Sequence, residues 1–391
     1  MEKKNNSRGF TLIEVVVAVA VFLIFSVGIY STTAIIFKTV YQSRLHILET
    51  AALTEQMEIV KNLDYDDVGT VNGVPTGILL AEQTFDRDSV SLFVTTTVRN
   101  IDDPFDGTIN TNPVDDSPAD YKLVEMSAIC LTCGQRSAIV LSTIVVPKSL
   151  ESASNNGSIL VRAIDANGQP ISGANVNITN TTVSPIININ DITDGQGYLE
   201  VVDTPTGTLS YNISVTKSDN YSTDFTTSSS ATNPNPSKLP ITVESKKSAT
   251  ATFQIDQLGS INIHSVSKTD CSGIGGVGIN ARGQKLIGVL PVVYKYSRNI
   301  TTDGNGDYAL ANMEWDSYFL TLTGSVYDIA GTIPMLPAQL LPGGTQDVSL
   351  ILSNHTANSL LVKVKDAGTG LPLSGVPVRL TGVRYDNSLK T

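Results

Sequence analysis

The 391-residue chain is poor in charge, in cysteine and in histidine. Only 16% of its residues are charged, and 26 Lys and Arg stand against 37 Asp and Glu, for a formal net charge of −11. Binding to a nucleic-acid backbone needs clustered positive charge, so this balance argues against nucleic acid as the main partner. Three cysteines are also too few for a disulfide scaffold.

Candidate catalytic residues are scarce as well. The three histidines, His46, His264 and His355, lie far apart in the sequence, and no metalloprotease, phosphate-loop, dinucleotide-binding or nucleophile-elbow motif is present. Cys130 and Cys133 have no second pair for a zinc site and no βαβ setting for a thioredoxin-like site. We expect either a local disulfide or two packed thiols there, and a protein that is not an enzyme.

Apolar residues are concentrated near the N-terminus. Residues 1–9 are polar and net basic, whereas residues 10–37 are almost entirely apolar or small. The second stretch exceeds the roughly 20 residues that a helix needs to cross a bilayer. The basic flank predicts that the N-terminus is cytoplasmic before any processing and that the rest of the chain is exported. We therefore expect a single-pass membrane protein.

Glu14 is the only acidic or basic residue within residues 10–37. A carboxylate in a spanning helix costs about 2.5–3.5 kcal/mol at the bilayer centre and less near its surface. Such a residue is by default functional, and its natural partner is a positive charge at the same depth. Because a plain anchor gains nothing from this carboxylate, Glu14 predicts an interaction made within the membrane.

The run from Gly9 to Val15, Gly-Phe-Thr-Leu-Ile-Glu-Val, resembles the processing site of type IV prepilins and type II secretion pseudopilins. The resemblance implies that a dedicated membrane peptidase cuts between Gly9 and Phe10 and that Phe10 becomes the methylated N-terminus. It also implies that Glu14 pairs with the N-terminal amine of a neighbouring subunit during assembly. An ordinary signal peptide would have a shorter apolar core of about 7–15 residues, and neither that nor a simple anchor accounts for the Gly9–Phe10 junction together with Glu14.

An amphipathic segment continues the apolar stretch. Apolar residues recur at steps of three and four from Tyr41 to Leu63, and no proline or glycine interrupts residues 29–64. The pattern predicts one transmembrane and stem helix over residues 10–63, about 80 Å long at 1.5 Å per residue.

Residues 64–150 predict a small, pilin-like β-sheet head on the stem, with strand-forming runs at 89–98, 124–128 and 139–146. The loop after the first run carries six aspartates, Asp102, Asp103, Asp106, Asp115, Asp116 and Asp120. Carboxylate oxygens suit Ca²⁺, and major secretion pseudopilins have a calcium loop in this general region, so these residues are a candidate calcium site, the only cofactor expected. The alternative is a solvated acidic loop with turn-forming aspartates.

After a polar linker at residues 151–156 the chain repeats itself. Three units open with a related strand, starting at Gly157, Gly259 and Asn358, and two of them share a later Thr-Asp-Gly turn, beginning at Thr193 and Thr302. Repetition at a nearly fixed period indicates one module used several times, and short alternating runs between turn residues favour a β-sandwich. The units span residues 157–256, 257–353 and, in part, 357–391. The third breaks off at Thr391, so we expect further chain beyond it.

The repeats resemble the carboxypeptidase regulatory-like module, an Ig/prealbumin-type sandwich without catalytic residues. The resemblance implies a stalk or display domain. Within the second unit, Asp303, Asn305, Asp307 and Glu314 match much of an EF-hand calcium loop, but Tyr308 stands where that loop requires glycine. Asp-Gly and Asn-Gly are also the usual residues of a hairpin turn, and we expect a turn.

Together these patterns predict an α+β protein: a long N-terminal transmembrane and stem helix, a small β-sheet head and tandem all-β, Ig-like sandwiches. The expected function is that of a minor pilin or pseudopilin subunit of a type IV pilus-like filament, with sandwiches for surface contact or adhesion outside the cell. Expected partners are other pilin subunits, the prepilin peptidase and methyltransferase, the membrane, and a surface or carbohydrate ligand. A pseudopilin of a type II secretion or DNA-uptake system, and a membrane-anchored adhesin that never polymerises, are the alternatives.

Overall fold

The computed structural model describes residues 11–390, apart from 110, 112–114, 116, 136, 149–153, 358–359 and 383–384. Contacts divide the chain into two units, Met1–Ile101 with Ala119–Glu151 and Asp102–Pro118 with Ser152–Thr391. A long apolar helix with a β-sheet forms the first unit, and paired sheets form most of the second. The predicted fold class is confirmed.

A single helix, α1 (Leu12–Lys61), opens the first unit and has 50 residues, which corresponds to about 75 Å. The helix begins two residues after the predicted start at 10 and ends two residues before the predicted end at 63. In the part of the chain that the structure describes, α1 alone is long and apolar enough to cross a membrane, judged by length and composition. The residues of α1 that are buried all lie in its second half, and they are Leu45, Glu49, Ala52, Leu53, Met57 and Val60.

Four antiparallel strands follow a short 3₁₀ turn (Tyr65–Asp67) and lie side by side in chain order. They are β1 (Glu82–Arg87), β2 (Val90–Ile101), β3 (Tyr121–Ile129) and β4 (Ile139–Val145). Alternate residues of β2 and β3 point at α1, so that Val94 and Met126 pack with Leu53, Met57 and Val60. Burying one such side chain contributes about 1.5–3 kcal/mol, so this layer of helix on sheet is the core of the first unit.

The first module, residues 157–256, consists of two facing sheets. Its strands are β5 (Gly157–Ile164), β6 (Asn175–Asn180), β7 (Ile187–Ile192), β8 (Tyr198–Thr204), β9 (Gly207–Thr216), β10 (Asp224–Phe225), β11 (Ile241–Val243) and β12 (Ser248–Gln254). One sheet has the order β12-β5-β8 and the other β10-β9-β6-β7, with β11 also paired to β9.

The second module is built the same way, and its last strand ends at Asn354, one residue beyond the predicted bound of 353. Its strands are β13 (Gly259–Ser267), β14 (Gly278–Arg282), β15 (Leu286–Val289), β16 (Val292–Tyr294), β17 (Ser297–Thr301), β18 (Asp307–Met313), β19 (Asp316–Leu322), β20 (Tyr327–Ile333), β21 (Ala338–Leu340) and β22 (Thr345–Asn354). The two sheets have the orders β18-β13-β22-β20 and β17-β14-β19-β21, and β15 and β16 form a separate hairpin.

Strand pairing relates the two modules directly. In each, the first strand lies between an antiparallel neighbour (β8 or β18) and a parallel one (β12 or β22). In each, the second strand lies between two antiparallel neighbours. In the first module β6 pairs with β7 and β9, and in the second module β14 pairs with β17 and β19. The buried residues alternate along these strands, for example Ile261 and Ile263 in β13, as a half-buried strand requires.

The last described segment starts in the same manner. An isolated β-bridge joins Ile164 to Pro170 in the first module and Val266 to Gly273 in the second. The equivalent bridge in the third repeat joins Lys365 to Pro372. The third repeat continues with the antiparallel pair β23 (Pro377–Gly382) and β24 (Tyr385–Lys390).

Candidate functional site

The start of α1 is closed by a reciprocal capping box between Thr11 and Glu14. The Thr11 hydroxyl oxygen accepts a hydrogen bond from the Glu14 backbone N–H at 3.4 Å. Glu14 Oε2 accepts in return from the Thr11 backbone N–H at 2.9 Å and from the Thr11 hydroxyl at 2.8 Å. Two N–H groups that a helix start leaves unpaired are thereby satisfied, and the carboxylate lies at the positive end of the helix dipole.

This local role of Glu14 was not predicted, although the sequence carries its signal. Thr-x-x-Glu directly before an apolar run is the pattern of a capping box, and Thr11 to Glu14 fits it. The carboxylate therefore has partners in its own helix before a second chain is added. The predicted processing residues Gly9 and Phe10 lie outside the described residues.

Side chains of residues 12–37 point outward along the apolar half of α1. Within it, the hydroxyls of Ser26, Thr32 and Thr33 each donate to the carbonyl oxygen four residues earlier, at 2.8–2.9 Å. An unpaired polar group is costly in lipid, so hydroxyls satisfied inside the helix suit a membrane-spanning segment.

A second polar site, which was not predicted, lies where α1 meets its sheet. Glu49 is completely buried, and its Oε2 accepts a hydrogen bond from Gln135 Nε2 at 3.0 Å. His46 Nδ1 lies 3.5 Å from the same oxygen. The Gln135 side chain also accepts from the Cys130 backbone N–H at 3.1 Å. One glutamine thus joins the loop after β3 to a carboxylate on the helix.

Cys130 and Cys133 are joined by a disulfide, with their Cα atoms 5.4 Å apart. Cys130 is buried against Ala52 of α1 and Leu92 of β2. The short loop that the bond closes lies directly before Gln135 in the chain. Cys271, in the second unit, is exposed and free.

Among the residues that the structure describes, which include five of the six aspartates proposed for calcium, no three Asp, Glu, His or Cys side chains are grouped to hold a metal ion. Two of these carboxylates accept hydrogen bonds from nearby backbone N–H groups. Asp102 Oδ2 accepts from the Ile109 N–H at 2.9 Å, and Asp115 Oδ1 accepts from the Ser117 N–H at 2.8 Å. Asp116 lies outside the described residues, and the calcium site stays a prediction.

The shared Thr-Asp-Gly sequence of the modules has a structural role. Buried Thr193 accepts a hydrogen bond from the Ala174 N–H at 2.9 Å and donates one to the Ile171 carbonyl at 2.7 Å. Its equivalent, Thr302, accepts from the Val277 N–H at 3.0 Å. In both modules the threonine therefore fixes the segment that enters the second strand.

The aspartate after each threonine closes a turn. Asp194 Oδ1 accepts from two backbone N–H groups at 2.8 Å. Asp303 Oδ1 accepts from the N–H groups of Asn305 and Asp307 at 2.9 Å. The EF-hand-like residues thus form a turn, as expected, but the turn links strands of two different sheets, β17 and β18, as its equivalent links β7 and β8, so neither turn is a hairpin.

A buried tyrosine follows in each module and was not predicted. The Tyr211 hydroxyl donates to the Pro205 carbonyl at 2.5 Å, and the Tyr318 hydroxyl donates to the Glu314 carbonyl at 2.7 Å. Burial raises the pKa of both phenols above its ordinary value. A Ser-Tyr pair opens both segments in the sequence, which is the signal that could have revealed them. The arrangement is like the tyrosine corner of Ig-type sandwiches.

Comparison with solved structures finds loose likenesses. The Bacillus anthracis TIE protein is 12% identical over 80% of this chain, with a TM-score of 0.21, and the chain spans about half of its length, 51%. The minor pilin of Streptococcus agalactiae is 12% identical, with 53% of this chain and 100% of that one covered and a TM-score of 0.26. Shaft pilin SpaA from Lactobacillus rhamnosus GG is 11% identical, with 51% and 99% covered and a TM-score of 0.19. Scores this low carry no argument about function.

Comparison with curated proteins finds no match. Among protein families, the prokaryotic N-terminal methylation motif matches residues 4–30. This range contains the Gly9–Phe10 junction, the capping box and most of the apolar half of α1. The N-terminal segment is thus similar to the methylated N-terminus of prepilins.

Proposed function

We propose that the chain is a minor pilin or pseudopilin subunit of a type IV pilus-like filament. The observation that carries the proposal is the match of residues 4–30 to the N-terminal methylation motif, in a segment whose only acidic or basic residue after the leader is Glu14. In this proposal, a membrane peptidase cuts between Gly9 and Phe10, and a methyltransferase modifies the new amine of Phe10.

Assembly then depends on two charges within the membrane. Cleavage creates a positive amine at Phe10 at nearly the same depth as the Glu14 carboxylate. Leaving either charge alone in lipid is costly, so neighbouring helices settle in the register that brings the amine of one subunit to the carboxylate of the next. The capping box supports this arrangement, because it fixes the Glu14 side chain at the end of the helix where the amine arrives.

Residues 157–353 serve, in this proposal, as modules displayed outside the cell for surface contact or adhesion, with a carbohydrate as one ligand class. Their loops join rigid sheets, and such loops commonly carry recognition. A pseudopilin of a secretion or DNA-uptake machine would use the same helix and peptidase. A lone anchored adhesin would use Glu14 only as a helix cap and would leave its charge without a cation in the membrane, and this favours a subunit that polymerises.

Substitutions of Glu14 test the proposal, because glutamine keeps the acceptor of a capping box but has no charge. We expect Glu14→Gln and Glu14→Ala to insert into the membrane normally and to be absent from purified filaments. Thr11→Val, which removes the hydroxyl and keeps the charge, should still be incorporated. Normal incorporation of Glu14→Gln, with loss only for Glu14→Ala, would show that Glu14 acts as a cap and would refute the ion pair.

Processing is tested at the junction itself. Gly9→Val should block cleavage, so that mass spectrometry finds an N-terminal peptide that still contains residues 1–9 and has no methylated Phe10. A mature N-terminus at another position in the wild-type chain would contradict the proposal.

A further inference from the structure

The second module contains an insertion that the first lacks. Residues 181–186 connect β6 to β7 in the first module, whereas residues 283–296 connect the equivalent strands β14 and β17 in the second. This longer segment, the inserted hairpin, forms β15 and β16. The first module has a long irregular segment of its own between β10 and β11, and its residues 229–240 are called the docking loop here.

Backbone hydrogen bonds join the inserted hairpin to the docking loop. The Ser237 N–H donates to the Ile287 carbonyl at 3.1 Å, and the Val289 N–H donates to the Asn235 carbonyl at 3.0 Å. This is an antiparallel pairing, and it continues through a bridge between the residues that lie between these two pairs. One module thus adds a short strand to a hairpin of the next.

Side chains of the docking loop complete the contact. Asn233, 4% exposed, donates from Nδ2 to the Ile287 carbonyl at 2.8 Å, and the Ser237 hydroxyl donates to the Leu286 carbonyl at 3.0 Å. Gly288 lies directly against Asn233: a Cβ at this position would be 2.1 Å from Asn233 Oδ1. A side chain at Gly288 would therefore displace the Asn233 amide, which donates to the Ile287 carbonyl.

Two further contacts, outside strands β15 and β16, tie the modules together. Lys295 donates from Nζ to the Thr223 carbonyl of the first module at 2.9 Å, and Glu314 of its own module lies 2.7 Å from the same ammonium. At the connection between modules, the Leu258 N–H donates to the Asn220 carbonyl at 2.7 Å, and the Asn220 side chain donates back to the Leu258 carbonyl at 3.1 Å.

We propose that the inserted hairpin is a recognition element for the preceding module, and that it locks the two modules into one rigid body. Neighbouring domains with small contacts move relative to each other by default, and here three separate sets of hydrogen bonds oppose that motion. The docking loop suits this role because it contains Asn-Pro-Asn-Pro-Ser at residues 233–237. Proline fixes backbone φ, and a pre-ordered loop loses less conformational entropy on binding.

The partner that fits the hairpin is accordingly a sandwich that carries such an Asn/Pro loop between its strands, in this chain the first module. The inference is independent of filament assembly, since it concerns contacts within the second unit alone.

Hydrogen exchange measured by mass spectrometry on the full chain in detergent micelles tests the lock. In the wild type, peptides from residues 229–240 and 285–295 should both exchange slowly. Gly288→Val changes only the second module but should speed exchange of the docking loop about tenfold or more, because the loop loses its partner. Asn233→Ala changes only the first module and should do the same to the inserted hairpin.

Gly304→Ala is the matched control, since no described atom lies within 4 Å of a Cβ at this glycine of the same module. It should leave both segments protected. Peptides from β5 and β13 report whether each module stays folded. If Gly288→Val unfolds the second module, the exchange of the inserted hairpin in Asn233→Ala is the test of the proposal. Unchanged exchange of the hairpin in Asn233→Ala, or fast exchange of either segment in the wild type, would overturn the proposal.

Discussion

Replacing Thr193 with valine preserves the shape of the side chain and removes its hydroxyl. That hydroxyl accepts from the Ala174 N–H at 2.9 Å and donates to the Ile171 carbonyl at 2.7 Å. Thr193 is 2% exposed and Ala174 is fully buried, so water cannot replace either bond without opening the fold. The Thr193→Val variant therefore leaves two buried backbone groups unpaired.

The size of the effect follows from these two groups. Each unpaired buried group costs about 1–3 kcal/mol, so we expect Thr193→Val to lower the free energy of unfolding of the first module by about 2–6 kcal/mol. Thr193→Ser is the matched control, because it keeps both hydrogen bonds and loses one methyl group, which is worth about 0.8 kcal/mol.

A urea titration read by hydrogen-exchange mass spectrometry measures the difference, with peptides from β6 reporting on the first module. The only tryptophan, Trp315, lies in the second module, so its fluorescence in the same samples is an internal reference and should change far less. Equal destabilisation by valine and serine would refute the reasoning, because the loss would then come from the methyl group or from general strain.

Three further substitutions test other parts of the structure. Gln135→Ala removes the donor to buried Glu49 and should cost about 1–3 kcal/mol, seen as a lower melting temperature of the first unit by circular dichroism. Tyr318→Phe keeps the ring but loses the hydrogen bond to the half-buried Glu314 carbonyl, so the urea midpoint reported by Trp315 fluorescence should fall by the equivalent of about 1 kcal/mol. Burial raises the pKa of Glu200 above its ordinary value of 4.5. The folded state then holds this proton where the unfolded chain has lost it, so stability falls as pH rises through that window. Glu200→Gln should therefore raise the melting temperature at neutral pH and lose this advantage below pH 4.5; an equal gain at both pH values would contradict it.

Periodic patterns predicted much of this fold. The helix over Leu12–Lys61 follows from one apolar run and a three-to-four spacing, which are local properties of the sequence. Three strands of the first unit and the shared turns of the modules were likewise visible in alternation and in Asp-Gly pairs. By contrast, β1 has the polar sequence of Glu82–Arg87 and is a strand only because it pairs with β2 at the sheet edge. No local pattern marks such a strand.

Buried polar residues were the hardest to predict. In the sequence, Glu49 looks like any other polar residue of an amphipathic helix. Its burial depends on the position of Gln135, which comes 86 residues later. The docking loop and the inserted hairpin are likewise distant in sequence, and each looks like an irregular polar or apolar segment by itself. Glu14 is the opposite case, since its capping partner Thr11 is three residues away and fits a known local pattern.

The parallel pairing of the first and last strands has a mechanical consequence for each module. Because β5 and β12 run in the same direction over seven residue pairs, and β13 and β22 over eight, the chain enters a module at one end and leaves it at the other. Tension applied along the chain then acts on all hydrogen bonds of that pair at once, in shear, instead of opening them one after another. Each module is therefore suited to transmit force along the chain without unravelling from its ends.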